Sequence, residues 1–510
     1  MKKCYFLGVD IGSSQSKGVI VDEDAQVIAQ HFVKHKMEQP FPGYFEHDAE
    51  AVWWGDFCQL TRRLLEISGL SGNNISCVGV SALGADCLPV DEYCRPYRKA
   101  ILYGIDSRAE REIAYLDRVM PSTLLGRLDT PTFTTSDIPP KILWLKNHEW
   151  ENYQNAYKFL SASCYLVAKL TGNYVVDTYT AMAGYAPLYH LNGIIDEEAC
   201  SFICKPGQLP QYAWTAQIVG NITAEASKAT GLCQGTKVTA GTDDMVAEFI
   251  SAGLLGVGDV TLMLGSTMCI AAVVPKQVKD SRIGSQVFVI PNTAILSGTT
   301  NAAGNLTQWV RDLCFQDAVR IECEGGINAY DAMMESAADI PAGAEGLIML
   351  PYLAGERSPI NDPNAKGLIY GLTLRHTRNH IYRAALEAVG YSIKQHLDIF
   401  AEYDVHPRYL SVAGGGTKTP MWLQIIADIT GIPVHVPRVT LGAAYGDALI
   451  AGIGFGCFEN FGTLRQYMKT SQIFTPNPQN YKVYRNGYEI FNRLYPAAKA
   501  VEKNMIERVV

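Results

Sequence analysis

The 510-residue chain has no run of basic residues, and its charges sum to −8 with a pI near 5.7. That balance argues against nucleic acid or an anionic membrane surface as a partner. Long apolar runs are missing too. Nothing approaches the ~18 to 20 consecutive apolar residues of a membrane span. The opening Met1-Lys2-Lys3 with apolar residues 4–9 has the flavour of a signal peptide, but the run is short and Asp10 ends it. A cytoplasmic protein is expected. No Cys-x-x-Cys pair occurs among the thirteen cysteines, and Cys200 and Cys204 have no neighbouring His or Cys to complete a zinc set. Cys4, Cys87, Cys200, Cys204 and Cys269 mostly sit among apolar neighbours, which suits buried free thiols in a reducing compartment. A Gly-x-x-x-x-Gly-Lys-Ser/Thr motif is also lacking, so the P-loop fold is unsupported.

What is present is a chain too long for one ordinary core, 48% hydrophobic and 18% charged. Two domains are expected, divided as residues 1–253 and 254–510. Strands alternate with helices in both halves, which argues for α/β layers. Residues 5–9 and 19–21 read as strands of a hairpin whose turn holds Gly12, Ser13, Ser14, Ser16 and Lys17. Such a turn offers N–H groups, hydroxyls and a cation to an anion. Asp10 at the strand end is a candidate ligand for hydrated Mg²⁺, which takes one or two carboxylates beside phosphate oxygens and water. An ordinary polar turn is the alternative. Near residue 257 the pattern starts again: strand 259–264, the turn Gly265-Ser266-Thr267, strand 269–274. An internal duplication, with both turns serving one phosphate chain, is the natural inference.

The stretch Gly241-Thr242-Asp243-Asp244 lies between a strand (237–240) and an apolar helix (245–255). The helix dipole is expected to hold these carboxylates ionised, and an ionised carboxylate can accept a proton from a substrate hydroxyl. One Asp serving only as the N-cap is the alternative. Other strand ends carry polar groups: Gly84-Ala85-Asp86, and Gly104-Ile105-Asp106-Ser107-Arg108, where Asp106 and Arg108 are candidates for sugar hydroxyls, the alternative being that Asp106 or Ser107 is an ordinary N-cap for the next helix. Residues 109–230 read as mostly helical, and 317–341 as a polar, partly acidic segment. Gly414-Gly415-Gly416-Thr417 separates a strand (409–413) from a helix (421–430), so a flat ligand such as adenine could lie on bare backbone there. A sharp turn without a ligand is the other reading. Residues 441–448 read as a small-residue helix packed closely on a neighbour.

These motifs resemble the FGGY carbohydrate kinases. Gly367-x-Ile369-x-Gly371-Leu372 followed by His380-Ile381-x-x-Ala384-Ala385-Leu386-Glu387 is similar to the family's whole C-terminal signature. The N-terminal signature is matched at Ser136, Lys141, Ile142, Trp144, Leu145, Asn147 and His148, while Ile138 stands where a small residue or proline is usual. The resemblance runs from Asp10 to about Gly452. It implies a duplicated actin-like ATPase (ribonuclease H-like) fold, with ATP and sugar in the interdomain cleft and Mg²⁺ as cofactor. It implies Asp10 at the metal, and Gly12, Ser13, Ser14 and Lys17 around the γ-phosphate. Gly265, Ser266 and Thr267 form the second phosphate motif by the same resemblance; Gly304 and Gln308 contact nucleotide, and Gly414, Gly415 and Thr419 contact adenosine. Family spacing selects Asp244 as the base. Within the family the xylulokinases are the members it most resembles. Their sugar-side Met-His pair falls on Gly84-Ala85, and their Trp-Asn-Asp falls near Gly104-Ile105-Asp106, so the implied substrate residues are Gly84, Ala85, Asp106, Arg108 and Asp244.

A ketopentose, D-xylulose first, is therefore the expected acceptor, with another ketose or a polyol as the alternative. A non-catalytic ATP-binding regulator is a different class, disfavoured because Asp10 and Asp244 are both present. An acid substrate would want an extra cation, for which Arg108 is the one obvious candidate. Sugar and ATP are the expected partners, with no nucleic acid and no membrane; a homodimer is compatible with the sequence.

Overall fold

Residues 3–506, apart from 129 and 131, are described by the computed structural model. The chain forms two compact units. The first comprises Met1–Ser251, Gln286–Ala294 and Leu441–Tyr467; the second comprises Ala252–Ser285, Ile295–Thr440 and Met468–Val510.

In the first unit the apolar strand Tyr5–Ile11 pairs antiparallel with Gln15–Asp22 and parallel with Ile75–Ala82. Strand Val27–Lys34 extends one side, and Lys237–Thr239 with Ile218–Asn221 extends the other. Tyr5–Ile11 is buried from Phe6 onward, as a central strand covered on both faces must be. One cover is the helix Ala443–Phe455, the small-residue helix expected from sequence. Its approach is set by glycines: a Cβ on Gly8 would stand 2.0 Å from the Ala444 carbonyl, and one on Gly79 would stand 2.2 Å from the Asp447 carbonyl. Gly446 in turn lets this helix meet the backbone of Asp244–Ser251, since a Cβ there would lie 1.9 Å from the Ala247 carbonyl.

The second unit repeats the plan. Val260–Leu264 pairs antiparallel with Met268–Val274 and parallel with Leu410–Ala413. The repeat of one antiparallel and one parallel neighbour around the hairpin is the duplication expected from the two hydroxyl-rich turns. The long helix Arg378–Ala401 carries the second part of the C-terminal signature, His380 to Glu387, and the first part lies on and around strand Leu368–Tyr370.

Three stretches add to the sequence reading. The mostly helical stretch 109–230 also holds strands Lys158–Leu160, Val175–Asp177, Gln211–Ala213 and Ile218–Asn221. Three or four residues are too few to show a period of two. The polar run at Ser297–Thr300 belongs to strand Ala294–Thr300, where a Cβ on Gly298 would stand 2.1 Å from the His396 ring. The acidic segment 317–341 is largely two helices, Gln316–Cys323 and Ala329–Ala337, the latter capped by the Asn328 side chain on the Tyr330 N–H.

Candidate active site

In the first unit, Gly12 N–H closes the hairpin turn on the Gln15 carbonyl at 3.1 Å, leaving Ser13 and Ser14 at its tip. Asp10 and Lys17 face each other across the ladder. Burial, then the Asp244 and Glu248 charges, pushes the Asp10 carboxyl up to about 8, with Lys17 and a hydrogen bond from Ser81 pulling the other way. Ser81 Oγ also donates to Asp447 Oδ2 at 2.7 Å. Asp447, raised well above its ordinary range by burial and then by Asp10 and Asp244, keeps Oδ1 without a protein partner among the described residues.

These carboxylates therefore raise one another, and Lys17 offsets only part of their charge. That excess of hard oxygen donors fits a divalent cation. Among the described residues no three Asp, Glu, His or Cys side chains form a closed metal cage. An ion held by Asp10 with water and phosphate oxygens, as Mg²⁺ prefers, is the arrangement these donors suit.

Asp244 opens the helix Asp244–Ser251, and Asp243 Oδ1 accepts the Met245 N–H at 2.9 Å. The expectation that the helix dipole keeps both carboxylates ionised is overturned, because burial outweighs a terminus effect worth about 0.3–1 kcal/mol. Burial and then the Asp244 charge raise Asp243 well above the carboxylate range. Asp244 rises by burial only to about 6, held down by the Met245 N–H, a hydrogen bond from Asp243, and Lys17. Of the two, Asp244 is thus the readier to ionise, and Asp243 the readier to hold a proton shared by the pair. Behind them Asp177 Oδ2 accepts the hydroxyls of Thr215 at 2.9 Å and Thr242 at 3.0 Å, anchoring the residue that precedes the pair. Neither Asp177 nor Asp447 stood out in the sequence, since each reaches the site only through folding.

The loop Gly84–Asp86 comes to the same place. A Cβ on Gly84 would lie 2.4 Å from Asp243 Oδ2. The fully buried Lys141 donates to the carbonyls of Ala85 (2.9 Å), Thr135 (2.8 Å) and Asp137 (3.1 Å), which fixes this loop from below. Asp106 and Arg108 form a different cluster. The guanidinium of Arg108 forks onto Asp106 at 2.8–3.0 Å and reaches Glu46 at 2.8 Å, under the rings of Tyr44 and Trp144. Both side chains are 1% exposed. Asp106 Oδ2 also accepts the Phe45 N–H, so this ion pair pins the loop at 43–46.

The second unit holds a cavity of about 590 Å³ lined by Gly265, Ser266, Gly304, Gln308, Gly415 and Thr419. Six of the residues taken as nucleotide contacts are thus gathered in one place from three separate stretches. Thr267 and Gly414 are not in its lining but shape it. The Thr267 carbonyl accepts the Gly265 N–H at 3.0 Å. Gly414, at φ +95°, passes so near strand Val260–Leu264 that a Cβ would stand 2.6 Å from the Leu264 carbonyl. Gly304 N–H donates to the Gly265 carbonyl at 3.0 Å, docking the N-terminus of helix Gly304–Cys314 on the turn. Sequence reading missed Tyr330, Met334, Lys418 and Trp422 in the lining. Trp422, two residues past Pro420 at the start of the helix after the glycine triplet, carried the one available signal.

Two family models cover this chain: the N-terminal domain of the FGGY family of carbohydrate kinases matches residues 5–251, and the C-terminal domain matches residues 255–455. The chain belongs to the FGGY family of carbohydrate kinases. It is 28% identical over 500 residues to a xylulose kinase of Escherichia coli, covering 96% of this chain and 98% of the relative. A gluconokinase of Bacillus subtilis is 24% identical over 500 residues, covering 96% and 95%. The crystal structure of a xylulose kinase from Rhodospirillum rubrum superposes with a TM-score of 0.87 at 27% identity, covering 98% of this chain and 99% of that one. As an FGGY member, the chain is an ATP-dependent sugar kinase with the duplicated actin-like ATPase fold. Among the described residues no helix is long and apolar enough to cross a membrane.

Proposed function

We propose that this FGGY kinase transfers the γ-phosphoryl group of ATP to a hydroxyl of a ketopentose, with D-xylulose as the leading acceptor. The observation that carries the proposal is the buried Asp243–Asp244 pair at the head of helix Asp244–Ser251, with Asp243 against Gly84 and Asp244 the readier of the two to ionise. Asp244 accepts the hydroxyl proton as the oxygen attacks phosphorus, a contribution of roughly 10²–10⁴-fold. The turn at Gly12, Ser13 and Ser14, with Lys17, takes the phosphoryl group in the first unit. The cavity at Gly265, Ser266, Gly304, Gln308, Gly415 and Thr419, flanked by Thr267 and Gly414, takes the nucleotide in the second. Mg²⁺ held at Asp10 supplies charge neutralisation to the phosphoryl oxygens when bound.

Full-length similarity to xylulose kinases supports the ketopentose over other acceptors. So does the Arg108 fork. Because Asp106 and Glu46 engage it, it is poorly placed to receive the carboxylate of an acid substrate. Gly84 and Ala85 give the sugar a small-walled site beside Asp243, with selectivity resting on the backbone and Asp244. All thirteen cysteines are free thiols, which supports a reducing, cytoplasmic setting. The test is ADP release from Mg·ATP with ketopentoses, aldopentoses, polyols and aldonic acids, each run beside Asp244→Asn. D-xylulose turnover that is lost in the variant is the expected result. Turnover of an aldonic acid instead would overturn the substrate assignment.

A further inference from the structure

The turn Gly12-Ser13-Ser14 is held from behind by two histidines. His35 Nε2 lies 3.0 Å from the Gly12 carbonyl, His47 Nε2 lies 3.2 Å from the Ser13 carbonyl, and the His35 backbone N–H donates to the Ser14 carbonyl at 3.1 Å. The two rings meet edge to face with centroids 5.0 Å apart. Three successive carbonyls of the turn therefore converge on one histidine pair.

A trans peptide points its N–H opposite to its carbonyl. Tying down the Gly12 and Ser13 carbonyls aims the Ser13 and Ser14 N–H groups at the other face of the turn. Among the described residues neither N–H has an internal acceptor. Two adjacent free N–H groups pointing the same way form an anion-binding concavity.

The hydrogen bonds around His47 also settle which nitrogen carries its proton. The Trp53 indole can only donate, and its N–H lies 3.1 Å from His47 Nδ1. His47 Nδ1 is thus the acceptor, and Nε2 bears the hydrogen given to Ser13. Burial, then the neighbouring His35, lowers the pKa of His47 to about 4, so the ring stays neutral in that tautomer. His35 is oriented by Asp56, whose Oδ2 lies 2.8 Å from His35 Nδ1 and accepts Ser16 Oγ at 2.6 Å. The charged and titratable groups that act on the His47 ring are His35, Asp56 and Glu38.

We infer that His47, with its tautomer locked by Trp53, and His35, oriented by Asp56, are positioning residues that hold the Gly12–Ser14 turn in its phosphate-binding form. This deepens the kinase reading and rests on it.

The experiment measures KM for Mg·ATP, KM for the sugar, and kcat in His47→Leu, His47→Gln and Trp53→Phe. Nitrogen-15 spectra of the histidine rings are recorded beside them. A slight misplacement of the turn is expected to lower kcat/KM for ATP by roughly 10- to 100-fold in His47→Leu, with KM for sugar within about twofold. Glutamine offers a donor to Ser13 and an acceptor to Trp53, so His47→Gln should restore most of the loss. The wild-type spectrum should show His47 with hydrogen on Nε2 alone between pH 6 and 8, and Trp53→Phe should abolish that single-tautomer signature. An unchanged kcat/KM for ATP in His47→Leu, equal losses toward ATP and sugar, or a mixed His47 tautomer in the wild type would each overturn the inference. If His47→Leu does not fold, His47→Gln and the wild-type spectrum still decide. A wild type that turns over no sugar would refute the kinase assignment instead, and the spectra would still test the tautomer lock.

Discussion

Asp243→Asn and Asp244→Asn change neighbouring residues by the same atom, yet opposite outcomes follow from the shared proton. With Asp244 near 6, a base that must be ionised is about nine-tenths active at pH 7 and about one-tenth active at pH 5. The acid limb of kcat/KM for the sugar therefore falls through about pH 6, some two units above an ordinary aspartate. Asp244→Asn removes the proton acceptor and should lower kcat roughly 10²–10⁴-fold, which is about 3 to 5 kcal/mol of transition-state stabilisation. Asp243→Asn exchanges a protonated carboxyl for an amide that still donates to Asp244. It should keep kcat within a few-fold and leave the limb near 6. Asp243→Ala withdraws the donor that holds Asp244 down, so its limb should move upward. The assay is coupled ADP release against pH at saturating Mg·ATP, with ATP affinity measured separately to show that binding survives. Equal losses in the two asparagine variants, or an acid limb near 4 in the wild type, would refute the assignment of base and proton holder.

The magnesium-free protein should lose thermal stability as pH rises. Asp10 and Asp86, at 3.8 when unfolded and both about 8 when folded, contribute stability that is complete below 3.8 and lost as pH rises to about 8. The melting midpoint should fall from pH 5 to pH 8, and Mg²⁺ added at pH 8 should recover part of it; a midpoint that climbs over that range would contradict the burial argument. Gly8→Ala places a methyl 2.0 Å from the Ala444 carbonyl and should cost about 1–3 kcal/mol or more in denaturant titration, since the backbone of helix Ala443–Phe455 must shift. Lys141→Met strands three carbonyls that now accept from Nζ. It should cost about 1–3 kcal/mol or more and raise KM for the sugar more than KM for ATP.

The hairpins were legible because apolar runs flank short hydroxyl-rich turns. Their neighbours were not, because a parallel partner such as Ile75–Ala82 lies far away in the chain and only the topology brings it alongside. The tight approach of residues 441–448 could be read from their small side chains. What they approach was written separately, in Gly8 and Gly79, and became evident only when the two surfaces were seen to lack room for a Cβ. The small turn at 265 and the glycine triplet at 414–416 advertised close backbone approach, while Gly304 was marked only by the family resemblance. Yet Tyr330 and Met334, which wall the same cavity, sit on an ordinary amphipathic helix with nothing local to mark them.

The acidic pair shows where local reasoning fails in kind rather than in detail. From the sequence, Asp243 and Asp244 share one helix terminus and one dipole, and nothing separates their charges except analogy. In the folded chain, Asp243 lies against Gly84 and near the buried carboxyl of Asp177, while Asp244 feels Lys17. Which of the two ionises more readily is thereby set by groups 66 to 227 positions away. The same holds for His35 and His47, which look like scattered polar residues until two carbonyls of one turn are found pointing at them. A Gly84→Ala substitution isolates this point, because it changes neither carboxylate and leaves the helix terminus intact. Its methyl would press on Asp243 Oδ2 at 2.4 Å and should displace the proton holder. The acid limb should then move away from pH 6, with ATP affinity unchanged. A limb that stays at 6 would mean that the pair's ionisation is set by the helix alone.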